Sequence, residues 1–274
     1  MGLSAATVSS FGLIAGNGVF PLEVARAARD RGLRVVALAH LHETDAALAD
    51  LADEITWIKV GELQRMIDVL KTAGVSEAAM AGGISRERLA ETFAPDARAL
   101  AMLAKVGRFS DDAVLRAIAA EVEADGMPVI DPVPLIDGVL ARAGLEAGPA
   151  PTPAQLKDLA LAFDVMRALG SFDIGQAVAV RNGVVAAVEA IEGTDAALRR
   201  GASLVGKGMV VAKAAKPGQD LRFDRPAIGP ATIELLAEIG AAMIGVEAHG
   251  AMILERARTL ERARSLGITL YGHE

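Results

Sequence analysis

Short apolar runs alternate with amphipathic segments along the first half of the chain. Residues 11–15 form an apolar run of strand length, and residues 21–31 follow with helical periodicity. Further strands are predicted at 34–39, 54–58, 77–81 and 127–130, and a helix at 61–73. Strands that alternate with helices are typical of parallel βαβ units with right-handed crossovers. The first half is therefore predicted to be a Rossmann-like α/β domain built on a parallel sheet.

The second half continues the alternation after a hairpin signal. A helix is predicted at 153–169, and two strands, 175–180 and 184–189, flank Asn182-Gly183. Asn-Gly tolerates the positive φ that a two-residue hairpin requires at both turn positions. Helices are then predicted at 194–204, 230–239 and 254–266, and strands at 209–214, 242–246 and 268–271. The second half is thus predicted to be a C-terminal α/β domain.

Residues 144–153, with the sequence GLEAGPAPTP, form the segment richest in proline and glycine. This composition is typical of a linker or a domain boundary. The boundary is expected between residues 131 and 156, and we divide the chain into domains 1–145 and 146–274.

Composition and charge narrow the class of function. The chain has 274 residues, of which 52% are hydrophobic, so a sizeable core is available. A net charge of -7 argues against a sequence-independent nucleic-acid binder, which is normally basic. The absence of cysteine excludes a disulfide framework and a thiol nucleophile, and it fits a reducing cytosol. No apolar run reaches the roughly 20 residues that span a bilayer, and residues 1–10 lack the features of a signal peptide.

The most informative segment is Gly16-Asn17-Gly18, directly behind the first predicted strand. Glycine lets backbone N–H groups approach a ligand, and the following helix adds free N–H groups and a positive dipole end. A phosphate is the expected ligand. Two departures from the dinucleotide fingerprint argue against an ordinary NAD enzyme, because Pro21 replaces its third glycine and the second strand ends in His40 instead of an acid.

Two other features of the first half have alternative interpretations. Gly82-Gly83 ends a predicted strand, which indicates either a tight turn or a nucleotide crevice shared with the first glycine turn. Ser110 is a good N-cap for the helix after it, and Asp111 and Asp112 either complement the helix dipole or include a ligand for a metal or substrate. Arg108 just before them is a candidate partner for a phosphate.

In the second half, Thr194 stands where the N-cap of a predicted helix belongs, close in sequence to three acidic residues. These are Glu189, Glu192 and Asp195. The hydroxyl, the carboxylates and the free N–H groups of the helix indicate either a simple capped turn or a site for a ligand or cation.

Two charged residues of the second half are also open to two interpretations. Lys213 interrupts an apolar run, so its ammonium either reaches the surface or meets an anion. Asp224 lies in a loop with proline and glycine, so it is either a turn former or a ligand for Mg²⁺ beside a diphosphate.

Five segments carry a family resemblance. They are GLIAGNGVFP at 12–21, AGGI at 81–84, GRFSDD at 107–112, DIGQAVAVRNGVVAAVEAIEGTD at 173–195 and KAAKPGQDLRFDRPAIGPATI at 213–233. In this order they resemble the LpxI family of UDP-2,3-diacylglucosamine pyrophosphatases. The match extends over nearly the whole chain, and the last two segments are its more specific parts.

The resemblance implies a hydrolase of lipid A biosynthesis. Such an enzyme cleaves UDP-2,3-diacylglucosamine into UMP and 2,3-diacylglucosamine 1-phosphate (lipid X), depends on Mg²⁺ and directs water at the sugar-side phosphorus. It implies a first domain that binds nucleotide or phosphate and a second domain that binds lipid and carries the catalytic residues. Because the substrate is a membrane lipid, the resemblance also implies a cytoplasmic protein in peripheral contact with the inner membrane. No nucleic-acid partner is expected, and a homodimer is possible.

The resemblance also implies roles for single residues. Asp224 is expected to be catalytic, as a metal ligand or as a group that positions water. Substrate-binding roles are expected for Asn17, Gly18, Gly83, Gln176, Thr194 and Lys213. The alternative functions are a nicotinamide-dependent oxidoreductase and a non-catalytic protein that binds lipid or nucleotide.

Overall fold

The computed structural model describes residues 9–85, 88–89, 92–107, 110–170, 172 and 174–274. The chain divides into two compact units, Met1–Asp137 and Gly138–Glu274. Residues 138–145, which the sequence prediction assigns to the first domain, thus lie in the second unit. Helices and strands are interleaved in both units. This arrangement confirms the predicted α/β class.

The first unit is built on a parallel sheet. Its elements are β1 (Ser10–Ala15), α1 (Phe20–Asp30), β2 (Arg34–His40), β3 (Glu54–Ile58), α2 (Leu63–Thr72), β4 (Glu77–Ala81), α3 (Ala97–Leu103) and α4 (Asp111–Ala124). The four strands run parallel in the order β3-β2-β1-β4. The central strands β1 and β2 are apolar nearly throughout because both of their faces are buried.

Two local predictions for the first unit have different outcomes. Ser110 is the N-cap of α4, and its Oγ accepts the Ala113 N–H at 3.4 Å, which confirms the prediction; Arg108 lies outside the described residues. The strand predicted at 127–130 is reduced to a bridge between Val129 and Ala78. Because Pro128 has no N–H to donate, this segment cannot form a full ladder.

The second unit has a larger, mixed sheet. Its elements are β5 (Gly144–Ala147), α5 (Pro153–Gly170), β6 (Ala177–Arg181), β7 (Val184–Val188), α6 (Thr194–Val205), β8 (Val210–Lys213), β9 (Ala227–Ile228), α7 (Pro230–Glu238), β10 (Met243–Glu247), β11 (Met252–Ile253), α8 (Arg256–Leu266) and β12 (Thr269–His273). The sheet order is β5-β12-β10-β8-β6-β7, and β8, β10 and β12 are parallel to one another. The short parallel pair β9–β11 is a separate feature that was not predicted.

The two faces of this sheet carry separate apolar cores. Along β8, Val210 and Ala212 pack with Leu159 and Phe163 of α5. Val211 faces the other way, into a core shared with α6, α7 and α8. This alternation follows from the two-residue period of a strand.

The predicted Asn-Gly hairpin is confirmed. β6 and β7 pair antiparallel, and the turn residues Asn182 and Gly183 have φ values of 50° and 76°. The carboxylate of Asp158 on α5 accepts both turn N–H groups, at 2.8 and 2.7 Å. The helix therefore fixes the turn as well as covering the sheet.

The segment predicted as a linker contains a strand. Residues 144–147 form β5, which pairs antiparallel with β12 at the edge of the second sheet. The strand has only four residues and is flanked by prolines and glycines, so the composition of the segment predicted a linker instead of a strand. Within the described ranges, no helix combines the length and the hydropathy that crossing a bilayer needs.

Candidate functional site

The first unit brings two glycine turns together at one edge of its sheet. β1 leads into Gly16-Asn17, and its neighbour β4 leads into Gly82-Gly83. The Gly16 N–H donates to the Ala81 carbonyl at 2.8 Å, and the Asn17 N–H donates to the Gly83 carbonyl at 2.7 Å. β2 and β3 lie on the other side of β1, so the strand order reverses between β1 and β4. Ligands of open α/β sheets bind at such a switch point.

The close approach of the two turns explains their glycines. A Cβ on Gly16 would lie 2.2 Å from the Gly83 carbonyl oxygen, and one on Gly82 would lie 2.3 Å from the Asn17 carbonyl oxygen. Gly18 has a φ of +86°, a conformation that side chains rarely adopt. Three residues predicted to bind substrate, Asn17, Gly18 and Gly83, thus come together beside the N-terminus of α1.

His40, the residue at the usual place of a ribose-binding acid, serves the fold instead. Its Nδ1 lies 2.9 Å from the Ala15 carbonyl oxygen. Desolvation lowers the pKa of His40, although the hydrogen bond to Ala15 and the charge of Glu43 oppose this shift. Since a carbonyl oxygen can only accept, Nδ1 carries the proton and donates to the end of β1.

The second unit collects its polar residues through strand register. β6 runs antiparallel to β8, with Ala177 opposite Lys213, and β7 runs antiparallel to β6. The start of β6 and the ends of β7 and β8 consequently share one edge of the sheet. Gln176 stands at the start of β6, Glu189 follows β7 and Lys213 ends β8.

Backbone contacts fix Gln176 at this edge. Its N–H donates to the Glu189 carboxylate at 3.0 Å, and its carbonyl accepts the Ala214 N–H at 3.2 Å. Gly175 just before it has a φ of +59°, and a Cβ there would lie 2.1 Å from the Glu189 carbonyl oxygen. The backbone of Gln176 is therefore fixed by hydrogen bonds to the residues that follow β7 and β8.

Asp224 receives side-chain amides from two directions. Gln176 Nε2 donates to Asp224 Oδ2 at 3.1 Å. Gln219 Nε2 donates to the same carboxylate oxygen and, at 2.6 Å, to the Asp224 carbonyl. Gln219 is itself oriented because its Oε1 accepts the Lys216 N–H at 2.9 Å. The carboxylate thus has a fixed direction, which an ordinary turn-forming aspartate does not need.

The chain after Asp224 is anchored as well. Arg225 Nη1 donates to the Gly250 carbonyl at 3.0 Å, and the Met252 N–H donates to the Pro226 carbonyl at 2.8 Å. The β9–β11 pair continues this contact by two residues on each side. Asp224 is therefore held from both ends of its loop.

Lys213 faces a group of acids. Desolvation lowers the pKa of the Lys213 ammonium, while the charges of Glu189, Asp195 and Asp224 act in the opposite direction. The ammonium thus lies in the field of three carboxylates, which would repel an anionic ligand unless a further cation offset their charge.

The prediction that Thr194 is an N-cap is wrong. Gly193, with a φ of +83°, is the N-cap of α6, and Thr194 is the first helical residue. Glycine takes this position because the chain turns there through a conformation that threonine rarely adopts. Glu192 pairs with Arg200 at 2.6 Å, and this hydrogen bond lowers the pKa of Glu192. The charges of the other two acids near Thr194, Glu189 and Asp195, raise the pKa of Lys213.

The donor set bears on whether magnesium fits here. No group of three His, Asp or Glu side chains in the described part of the chain is arranged to hold a metal ion. Magnesium, however, commonly takes one or two carboxylates and fills its shell with water and substrate phosphates. Asp224 supplies such a carboxylate. The residues therefore fit an ion that is bound together with a diphosphate, and they do not fit an all-protein metal site.

Sequence reasoning missed two polar residues that the structure brings to these sites. Gln219 contacts Asp224 from within the same loop, and Glu43 accepts the Asn17 amide at 2.9 Å. Gln219 follows Pro217-Gly218, which signals a turn but not its contact. Glu43 lies three residues beyond β2, whereas the dinucleotide pattern directs attention to the strand end itself.

Comparison with known families decides the identity of the chain. Residues 10–139 match the LpxI N-terminal domain, and residues 142–271 match the LpxI C-terminal domain. The chain belongs to the LpxI family. The resemblance seen in the five sequence segments is thereby confirmed.

A curated relative agrees with this LpxI assignment. UDP-2,3-diacylglucosamine pyrophosphatase LpxI of Caulobacter vibrioides is 35% identical over 274 residues, which cover 95% of this chain and 96% of the relative. These two matches concern whole domains and the whole chain, and they assign no role to any single residue. The roles of Asp224 and of the substrate-binding residues consequently stay predictions.

Solved structures add little to this LpxI chain. Pyruvate carboxylase from Rhizobium etli aligns with a TM-score of 0.30 at 16% identity, over 63% of this chain and 14% of that one. Leucoanthocyanidin reductase from Vitis vinifera, in complex with NADPH, aligns with a TM-score of 0.28 at 20% identity, over 44% and 48%. Likenesses this weak carry no argument about function.

Proposed function

We propose that this LpxI chain hydrolyses the diphosphate of UDP-2,3-diacylglucosamine, giving UMP and 2,3-diacylglucosamine 1-phosphate, as a step of lipid A biosynthesis. The name of the Caulobacter relative supports the substrate. One observation carries the chemistry: at one sheet edge of the second unit, two glutamine amides orient Asp224 while Lys213 supplies a cation. A carboxylate and a cation on one edge are what cleavage of a diphosphate requires.

The first unit is proposed to bind the nucleotide phosphate. Its candidate residues are Asn17, Gly18 and Gly83, of which Gly18 and Gly83 are exposed at the two turns beside the start of α1. Backbone N–H groups and the positive end of a helix stabilise a phosphate without a lysine or arginine.

The second unit is proposed to bind the lipid portion and to carry the catalytic residues. Lys213 neutralises charge on the phosphoryl oxygens, and Gln176 and Thr194 contact the substrate. Asp224 directs a water molecule at the sugar-side phosphorus. The water oxygen forms a bond to this phosphorus, the bond from phosphorus to the bridging oxygen breaks, and UMP leaves with that oxygen. Diphosphate hydrolysis depends mainly on such positioning and charge neutralisation.

Magnesium is proposed as the cofactor, with Asp224 as its protein ligand. When bound, the ion would withdraw charge from the phosphate oxygens. Asp224 has the orientation to hold it because Gln176 and Gln219 fix its carboxylate. The remaining ligands would be water and the substrate itself.

Purified protein is expected to release UMP from UDP-2,3-diacylglucosamine in the presence of Mg²⁺ and to lose this activity in EDTA. Chromatography of the nucleotide products measures the reaction. In water enriched in ¹⁸O, mass spectrometry should find the label in the phosphate of the lipid product, because the attack is on the sugar-side phosphorus. UDP-glucose, which lacks the acyl chains, is the matched control substrate and should react far more slowly.

Two results would contradict this proposal. Failure to form UMP, under conditions in which a known pyrophosphatase acts on the same substrate, rejects the hydrolase. Label in UMP in place of the lipid rejects the direction of attack.

The acyl chains of the substrate imply contact with a membrane surface. A dozen buried methylenes contribute on the order of 10 kcal/mol before ordering costs, so the lipid is expected to be bound by apolar side chains. The second unit exposes several large apolar side chains. They include Val184, Ile191 and Leu204, which are 61%, 84% and 70% exposed. We therefore propose a cytoplasmic protein that associates peripherally with the inner membrane.

In sedimentation, the protein is expected to accompany phosphatidylethanolamine–phosphatidylglycerol vesicles that carry the substrate more than vesicles that lack it. Gel analysis of pellet and supernatant measures the bound fraction. Recovery entirely in the supernatant with both vesicle types would reject membrane association while leaving hydrolysis untouched.

A further inference from the structure

A buried acid lies behind the two glycine turns of the first unit. The chain turns sharply after β2, where the N–H groups of Glu43 and Thr44 donate to the His40 carbonyl at 3.1 and 3.0 Å. The Thr44 hydroxyl donates to the Ala15 carbonyl at 2.7 Å, which ties this turn to the last residue of β1. Glu43 is thereby pressed against the start of the first glycine turn.

One oxygen of Glu43 collects donors from three places. Its Oε2 accepts from Asn17 Nδ2 at 2.9 Å, from the Ser85 N–H at 3.2 Å and from Arg88 Nη2 at 3.2 Å. Asn17 belongs to the turn after β1, whereas Ser85 and Arg88 follow the glycine pair after β4. A single carboxylate oxygen consequently links the two turns to each other.

Burial of this acid is costly for the fold. Glu43 is only 7% exposed, and its other oxygen, Oε1, is buried and has no hydrogen-bond partner among the residues that the structure describes. An unsatisfied buried acceptor destabilises a protein, and a buried ion pair is on its own weak evidence for a stabilising role. A reason other than stability is therefore required for a carboxylate at this position.

Arg88 makes the buried acid compatible with an anionic ligand. Its side chain is 49% exposed, whereas that of Glu43 is fully covered. A bare carboxylate beside the turns would repel a phosphate. The guanidinium compensates this charge on the exposed side, so a phosphate can approach the backbone of both turns.

We propose that Glu43 is a positioning residue for nucleotide binding: it joins the two glycine turns and orients the Asn17 amide before the ligand arrives. The inference rests on the proposed function only in its choice of ligand, a uridine nucleotide. Preorganisation of this kind increases affinity because the ordering cost is met before binding.

Two neutral replacements separate the acceptor of Glu43 from its charge. Glu43→Gln retains an oxygen at the place of Oε2 and puts its amide group at the place of Oε1. Glu43→Ala removes the acceptor altogether. By calorimetry with UMP, we expect Glu43→Ala to raise Kd about tenfold or more, and Glu43→Gln to stay within about threefold of the unaltered protein. In the hydrolysis assay, Glu43→Ala should raise KM and leave kcat nearly unchanged.

Asp53 provides the matched control. Its carboxylate also accepts a backbone N–H, that of Val35, but at the opposite end of β2. Asp53→Ala should leave the Kd of UMP unchanged even where the melting temperature falls. If Glu43→Ala does not fold, Glu43→Asp replaces it, since a shorter side chain withdraws the acceptor but retains the charge and should also weaken UMP binding.

The outcomes distinguish this inference from the proposed function. Equal loss of affinity in Glu43→Gln and Glu43→Ala, or no loss in either, overturns the positioning role. Hydrolysis by a protein that shows no UMP binding also overturns it, while the proposed function stands. UMP binding that Glu43→Ala weakens and Glu43→Gln preserves, in a protein without hydrolase activity, supports the inference and rejects the function.

Discussion

Asp224→Asn is expected to lower kcat about a thousandfold while substrate still binds with near-normal affinity. Asparagine has the shape of aspartate, and its Oδ1 can accept the amides of Gln176 and Gln219 that hold Asp224. The loop should therefore keep its structure. What disappears is the negative charge that would hold magnesium and direct water. Single-turnover kinetics and equilibrium binding of UDP-2,3-diacylglucosamine separate the two effects.

Asp220 is the matched control for Asp224. It lies in the same loop, and its carboxylate pairs with Arg222 at 2.9 Å. Asp220→Asn should leave kcat within a few-fold of the unaltered enzyme. A near-normal rate for Asp224→Asn would reject the catalytic role. Comparable losses of kcat in Asp220→Asn and Asp224→Asn would show that the loss arises from destabilisation of the loop and not from a catalytic role of Asp224.

Lys213 should produce the second large effect, in both the rate and its pH dependence. Lys213→Met is expected to lower kcat/KM about a hundredfold, since the phosphoryl oxygens lose their cation. In the unaltered enzyme, desolvation lowers the pKa of Lys213, so the active protonated form is lost as the pH rises through that lowered value. Activity should therefore decline at a lower pH than an ordinary lysine would give.

Lys213→Arg tests the origin of this decline, because a guanidinium stays protonated throughout the accessible range. The alkaline decline should disappear in this variant, whatever its rate. Lys207, an exposed residue that precedes β8 at its opposite end, provides the control variant Lys207→Met. If the decline persists in Lys213→Arg, another group titrates. A normal rate in Lys213→Met would reject the proposal that Lys213 neutralises charge on the phosphoryl oxygens.

Elements with a strong local signal could be predicted from the sequence. Asn182-Gly183 specifies its hairpin because few other pairs accept positive φ at both positions. The strands at 54–58 and 77–81 have the predicted bounds because polar residues and glycines flank these short, largely apolar segments. β5 escaped prediction because four residues at a sheet edge leave almost no pattern.

The candidate sites were only partly predictable. Lys213 stands out because a charge in an apolar run is unusual, whereas Asp224 was indicated by the family resemblance, since aspartate is common in Pro/Gly loops. The contact of Gln176 with Asp224 depends on the antiparallel register of β6 against β8 and on a loop 48 residues away. Glu43 reaches Asn17 only through the turn that follows β2. No local periodicity encodes contacts of this kind.

The backbone approach at Gly16 and Gly82 has a consequence for inhibitor resistance. A compound that fills the space beside these turns would meet main-chain atoms, which substitution does not change. The simplest escape, a bulkier residue at either glycine, is closed because even one methyl group would collide with a carbonyl oxygen at 2.2 or 2.3 Å. Drug pressure at this point would have to select changes elsewhere in the chain.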